Sequence, residues 1–85
     1  MYEIKLTKQT EKDAVKIERS GLKEQVKEII KTIRINPYEQ NQGFEKLKGE
    51  LKGSFSRRVN KKHRVVYEIL PKKQIKIISM WTHYE

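Results

Sequence analysis

The sequence predicts a single α+β domain: a small, twisted, mainly antiparallel four-stranded sheet with two N-terminal helices packed on one face, in the order β-α-α-β-β-β. Three observations predict it. One apolar stripe of 3.6-residue period runs through Leu22, Val26, Ile29, Ile30 and Ile33. Two runs rich in β-branched residues, Arg64 to Leu70 and Gln74 to Trp81, are separated only by the turn Pro71-Lys72-Lys73. And 85 residues suffice for one domain, spanning 1–85, but not for two.

Each element has its own local reason. Tyr2-Glu3-Ile4-Lys5-Leu6 alternates apolar and polar, the pattern of a short strand. Thr7 or Thr10 caps the helix that follows, and Thr10 with Asp13 three residues on forms a weakened capping box. This first helix carries Ala14, Val15 and Ile17 and ends near Ser20-Gly21. The second helix carries the long stripe and stops at Asn36-Pro37, because the residue before proline avoids the helical region. Tyr38 to Gly43 is a polar loop, and Lys48 to Gly53, with two glycines, is a turn and irregular segment. Ser54 to Val59 is a strand, followed by a turn at Asn60-Lys61-Lys62. Short connections make the last three strands antiparallel neighbours. The helices cover one sheet face, leaving the other free to carry basic residues.

Composition narrows the function. With no cysteine, disulfides and thiolate metal sites are excluded. Two histidines, His63 and His83, are too few for a metal site, so no metal and no cofactor are expected. No apolar run approaches the roughly 20 residues that span a bilayer, and Met1 to Thr10 lacks the apolar stretch of a signal peptide. A cytoplasmic protein without a membrane partner is the expectation. Twenty Lys and Arg against eleven Asp and Glu give a net charge of +9 and a pI near 9.9. Such a field attracts polyanions. The excess is concentrated: Lys46 to Arg64 holds eight basic residues and one acidic one, Glu50. A domain this small buries only about 60–65% of its unfolded surface, so a site is expected in a groove or on a sheet face.

Metal-free RNA cleavage needs a base for the 2′-hydroxyl, an acid for the leaving 5′-oxygen and cations for the charge around phosphorus. The second half of the chain offers all three. Glu45 is a lone carboxylate at the start of the basic segment. A histidine such as His83 can give or take a proton at neutral pH, and Tyr84 can stack on an unpaired base. Arg57-Arg58 and His63-Arg64 flank a hairpin turn, and adjacent strand residues face opposite ways. If the loop is Asn60-Lys61-Lys62, Arg58 lies opposite Arg64. If His63 is also in the loop, Arg57 takes that place. Two opposed arginines repel unless an anion lies between them, which makes a phosphate clamp. His63 reads as a turn residue without a chemical role.

Four segments resemble one family. Glu45-Lys46-Leu47-Lys48, Leu51-Lys52-Gly53-Ser54-Phe55-Ser56-Arg57-Arg58-Val59, His63-Arg64-Val65-Val66-Tyr67 and His83-Tyr84 occur in the order and at the spacing of the YoeB/Txe branch of the RelE superfamily. Those proteins are the toxin halves of bacterial type II toxin–antitoxin pairs. Pro37-Tyr38-Glu39 fits as well, and the resemblance is specific over Pro37 to Tyr84. Phe44 stands where the family often has proline, and Phe55 where tryptophan or tyrosine is common.

The resemblance implies a RelE-like fold and a ribosome-dependent endoribonuclease that cleaves mRNA in the A site and halts translation. It implies a 2′,3′-cyclic phosphate product and no metal. By position, Glu45 matches the general base, His83 the general acid and Arg64 the transition-state arginine. Arg58 matches a second phosphate-binding arginine, which favours the three-residue turn, with Arg57 beside it among the substrate-binding candidates. Lys48 and Tyr84 match supporting groups for phosphate and base. The implied partners are mRNA on the ribosome and an acidic cognate antitoxin, with a homodimer allowed in the antitoxin complex. Two rival readings share the basic segment: a gyrase-inhibiting toxin of the ParE type, and a non-catalytic RNA- or ribosome-binding module. Glu45 together with His83 favours the enzyme.

Overall fold

The computed structural model describes residues 1–82. Strand β1 (Glu3–Leu6) leads into helices α1 (Lys8–Arg19) and α2 (Lys23–Ile35), followed by strands β2 (Glu45–Lys46), β3 (Ser54–Arg58), β4 (Arg64–Leu70) and β5 (Gln74–Thr82). A short 3-10 turn, Gly49–Leu51, separates β2 from β3. The sheet order is β1-β5-β4-β3-β2. The α+β class and the pair of helices agree with the sequence reading. The sheet has five strands instead of four, because Glu45–Lys46 pairs antiparallel with Ser56 and Phe55 at the edge. Two charged residues carry no alternation, so only the hairpin partner reveals this strand. β1 pairs in parallel with β5, from Glu3 opposite Gln74 to Leu6 opposite Ile77. The remaining pairs are antiparallel.

Helix α2 forms as its stripe predicts, burying Val26, Ile29 and Ile33. These meet Ile17 of α1 and the inward row Val65, Tyr67, Ile75, Ile77 and Met80 of the sheet. Burying a side chain of this size contributes about 1.5–3 kcal/mol. Helix α1 ends in a Schellman motif: the amides of Leu22 and Gly21 donate to the carbonyls of Ile17 and Glu18. Gly21 takes the left-handed conformation this requires, at φ 72°.

The inner face of α1 departs from expectation. Val15 is exposed, while Thr10 and Asp13 are buried. Thr7, not Thr10, is the N-cap and accepts from the Thr10 amide. Asp13 does not close a capping box. It reaches the irregular half of β5, where the register with β4 shifts twice, between Arg64 and Val66 and between Val66 and Tyr67. Such bulges leave backbone groups without ladder partners. The Thr10 hydroxyl donates to the Ile77 carbonyl at 2.7 Å, and the Thr7 hydroxyl lies 3.2 Å from the Ile78 carbonyl. The Met80 and Trp81 amides both donate to Asp13 Oδ2, at 2.9 and 3.3 Å. Gln9 Nε2 donates to the other carboxylate oxygen at 2.8 Å. The polar ladder of α1 thus replaces the missing sheet bonds and sets the course of the last strand. Asp13→Ala is expected to destabilise the fold by about 2–3 kcal/mol, since it leaves the buried Met80 amide unpaired. Urea denaturation measures this, and a loss below about 0.5 kcal/mol would mean that β5 holds its bulges unaided.

Candidate functional site

The site is assembled by one loop and two rows of side chains. The loop is residues 36–44. Its start is an Asx turn, in which the Tyr38 amide donates to Asn36 Oδ1. Its end lies against β3: the Arg58 amide donates to the Gln42 carbonyl at 2.7 Å. Gly43, at φ 65°, sits so close that an added Cβ would stand 3.1 Å from Arg58 Cβ. Only glycine suits both the conformation and the contact.

Arg57 anchors this loop from below. It is fully buried. Its guanidinium donates to the carbonyls of Pro37, Glu39 and Asn41, at 3.2, 2.9 and 3.1 Å. It also donates to Asn41 Oδ1 at 2.8 Å and, through Nε, to the Tyr67 hydroxyl at 3.1 Å. Tyr67 in turn donates to the Pro37 carbonyl at 2.6 Å. Burial pushes the Tyr67 phenol above its ordinary value, with the nearby Arg57 charge opposing that rise. The phenol therefore stays protonated and keeps donating. The expectation that Arg57 binds substrate is corrected. It faces the core, and loop carbonyls occupy its fork.

Phe44 closes the loop on the same inner side. Its ring stacks on Phe55 at 5.5 Å, beneath the Arg57 guanidinium at 4.9 Å. With Phe44 turned inward, strand alternation throws Glu45 onto the outer, helix-free face. Phe44 is thus the anchor that aims its neighbour.

On that outer face, register aligns two rows. Glu45, Ser56, Val66 and Ser79 form one row across β2 to β5. Arg58 and Arg64 form the next. The turn has three residues: the Val59 amide donates to the His63 carbonyl at 2.9 Å, and Asn60 Oδ1 accepts from the amides of Lys62 and His63. This is the alternative that sets Arg58 opposite Arg64. Glu45 Oε2 meets Arg64 Nη1 at 3.2 Å, with the glutamate side chain 59% exposed and the arginine 18%. Neighbouring strands stand about 4.8 Å apart, so this pair reaches over β3. It passes above Ser56, which is fully buried although it lies on the face away from the helices. Ser56 Oγ has no hydrogen-bond partner among the described residues.

Among the described candidates, Lys48 stands apart from this cluster. Lys48 lines a groove with Lys46, Lys52 and Phe55 beside the β2–β3 connection. His83 and Tyr84 lie outside the described residues. β5 carries the chain to Thr82, the register partner of Arg64. His63 is buried, and its ring stacks on Trp81 at 3.8 Å, a packing role beyond that of a turn residue. Two residues of the site escaped sequence reasoning. Tyr67 reads as one more β-branched-strand aromatic, and Ser56 as a polar residue between two larger ones. Among the described residues no cluster of three His, Cys, Asp or Glu could hold a metal ion. No helix among them is long and apolar enough to cross a membrane.

The comparisons agree on one family. Residues 6–84 match the YoeB-like toxin of bacterial type II toxin–antitoxin system. A curated relative, Toxin YoeB of Synechocystis sp., is 40% identical over 57 residues, which is 67% of this chain and 65% of that protein. The match thus spans somewhat less than two thirds of the relative's length. A YoeB/ParE toxin from Agrobacterium tumefaciens superposes with a TM-score of 0.88 at 25% identity, covering 96% of this chain and 99% of that one. The toxin in a heterotetrameric YoeB–YefM toxin–antitoxin complex from Staphylococcus aureus superposes with a TM-score of 0.83 at 32% identity, covering 99% of both chains. With an outer-face carboxylate–arginine pair on this fold, and a family match over nearly its whole length, the chain belongs to the YoeB-like toxins of bacterial type II toxin–antitoxin systems.

Proposed function

We propose that this toxin is a ribosome-dependent endoribonuclease that cuts mRNA in the A site by acid–base chemistry. The observation that carries the reading is the meeting of Glu45 and Arg64 on the open sheet face, 3.2 Å apart, with Arg58 opposite Arg64. Glu45 takes the proton of the 2′-hydroxyl. The 2′-oxygen attacks phosphorus while the bond to the 5′-oxygen breaks, and His83 gives that oxygen a proton. The products are a 2′,3′-cyclic phosphate and a free 5′-hydroxyl. Arg64 and Arg58 balance the charge that gathers on the phosphorane oxygens. Lys48 and Tyr84 support the phosphate and the base. The face is open and shallow, so a bound RNA is held largely by charge, and the ribosome supplies the remaining walls.

The physiological partner in this reading is an acidic antitoxin, in keeping with the net charge of +9 and with the toxin–antitoxin complex formed by the Staphylococcus aureus relative. Another structure of that relative is of a dimer, and a homodimer within the antitoxin complex is part of the same proposal.

The test is cleavage by the purified protein on programmed ribosomes, mapped to the nucleotide, with His83→Ala and Glu45→Ala beside it. Discrete A-site cuts that vanish in both variants are the expected result. Intact mRNA on a stalled ribosome would replace the enzyme by a binding module. Intact mRNA with normal translation, together with inhibited supercoiling by gyrase, would select the ParE-type reading.

A further inference from the structure

Ser56 poses a question that its size does not answer. It is fully buried, it is the register partner of Glu45 on one side and Val66 on the other, and its hydroxyl has no partner among the described residues. A small side chain is needed here, because the Glu45–Arg64 pair passes over β3 at this point. Alanine would meet that need equally well. It would also avoid the desolvation of a buried hydroxyl without a partner, which opposes folding. A polar group kept at such a cost in the floor of a site has a role in another state of that site.

The resting state shows what that role is. Arg64 holds the Glu45 carboxylate, and the same guanidinium is the best placed group for a phosphate. Arginine forms forked, charge-assisted pairs with phosphate at least as readily as with carboxylate. RNA binding therefore draws Arg64 off Glu45 and leaves a mostly exposed carboxylate without its restraint. The hydroxyl beneath is a donor directly opposite it: opposed residues of an antiparallel pair have Cβ atoms about 4.5–5.5 Å apart. Phe44 and Lys46, the neighbours of Glu45 along β2, face the other side of the sheet.

We propose that Ser56 is a positioning residue for Glu45: when the phosphate takes Arg64, the Ser56 hydroxyl becomes the donor that aims the carboxylate at the 2′-hydroxyl. Ser56 keeps its own proton throughout and transfers none. The inference deepens the nuclease reading and rests on it for its kinetic half only.

Ser56→Ala in the full chain is the variant. Its melting temperature is expected to equal or exceed that of the wild type, because an unpartnered polar group has been removed. On programmed ribosomes its KM is expected to stay within about twofold, with kcat reduced roughly tenfold, the worth of one hydrogen bond to a charged group. A purely structural serine would lower the melting temperature on substitution and leave kcat alone. The second measurement needs no catalysis: the carboxyl of Glu45 is titrated by NMR in Arg64→Ala and in Arg64→Ala/Ser56→Ala. Arg58 is the charged group that shares the face with Glu45 once Arg64 is gone, and it is the same in both proteins. A hydrogen bond to the carboxylate favours its charged form, so the double variant is expected to titrate at higher pH. Coinciding titrations, or an unchanged kcat in Ser56→Ala, overturn the proposal. Shifted titrations with no cleavage by the wild type would leave Ser56 bonded to Glu45 and remove the nuclease reading instead.

Discussion

Glu45→Gln is expected to lose roughly 10²–10⁴-fold in the rate of mRNA cleavage while melting at the wild-type temperature, the usual span for removing a general base. The substitution keeps the shape of the side chain and its capacity to accept a bond from Arg64, but an amide cannot take the proton of a hydroxyl. Stability is insulated because the carboxylate is mostly exposed. An ion pair of that kind contributes about 0–1 kcal/mol. Substrate binding moves the other way: with no carboxylate competing for it, Arg64 is freer to meet a phosphate. The amide variant is thus expected to bind RNA at least as tightly as the wild type while failing to cut it. Single-turnover cleavage on programmed ribosomes, beside a thermal melt and a binding titration, separates these effects. Cleavage within tenfold of the wild type would remove Glu45 as the base. A fall in binding to match the fall in rate would make it a docking group.

Helix α2 and strands β4 and β5 were legible because each carries enough apolar residues to display a period. The stripe of α2 from Leu22 to Ile33 is the clearest case, and it is buried as read. The two-residue strand β2 had no period to show. Its place follows from Phe44, whose ring finds the Phe55 side of the sheet, a contact between residues eleven apart that no local pattern announces. In α1 the pattern misled. Val15 is one of the three apolar residues read into this helix and Asp13 reads as part of a capping box, yet Val15 is exposed while Thr7, Thr10 and Asp13 bond to amides and carbonyls of β5. That exchange is a tertiary demand, written 67 residues away from the helix that answers it.

For the candidate site, residue types were legible and their sides of the sheet were not. Whether Arg57 or Arg58 faces Arg64 depends on a turn being three residues long or four, and one residue of slip reverses every side chain. Asn60 decides it: its side chain accepts two amides and holds the turn to three. The family resemblance pointed to the same arginine. It left Arg57 among the groups for substrate, because a doublet of arginines beside a hairpin looks equally basic from both sides.

Arg57→Leu is expected to destabilise the protein by about 3–5 kcal/mol, the range for removing one member of a buried charged network. Small domains are stable by only about 5–15 kcal/mol, so this is a large share. Among the described residues no carboxylate forms an ion pair with Arg57. Its charge is answered by the carbonyl dipoles of Pro37, Glu39 and Asn41, by Asn41 Oδ1 and by the Tyr67 hydroxyl. Leucine fills part of the space and strands these acceptors away from water, at about 1–3 kcal/mol for each one left buried and unpaired. Lysine keeps the charge but has three donors on one nitrogen in place of a planar fork. It can serve part of the loop at a time, and Arg57→Lys is expected to fall between leucine and the wild type. The loop is also what delivers β2 to the edge of the sheet, so both variants are expected to displace Glu45 from Arg64 and to lose cleavage even at temperatures where the fold survives. Urea denaturation gives the stabilities, and cleavage well below the melting transition gives the second effect. A loss below about 1 kcal/mol for leucine would mean that the aromatic contacts among Tyr38, Phe44 and Phe55 hold the loop by themselves. Full cleavage by a folded Arg57→Leu would mean that β2 finds its edge without the loop.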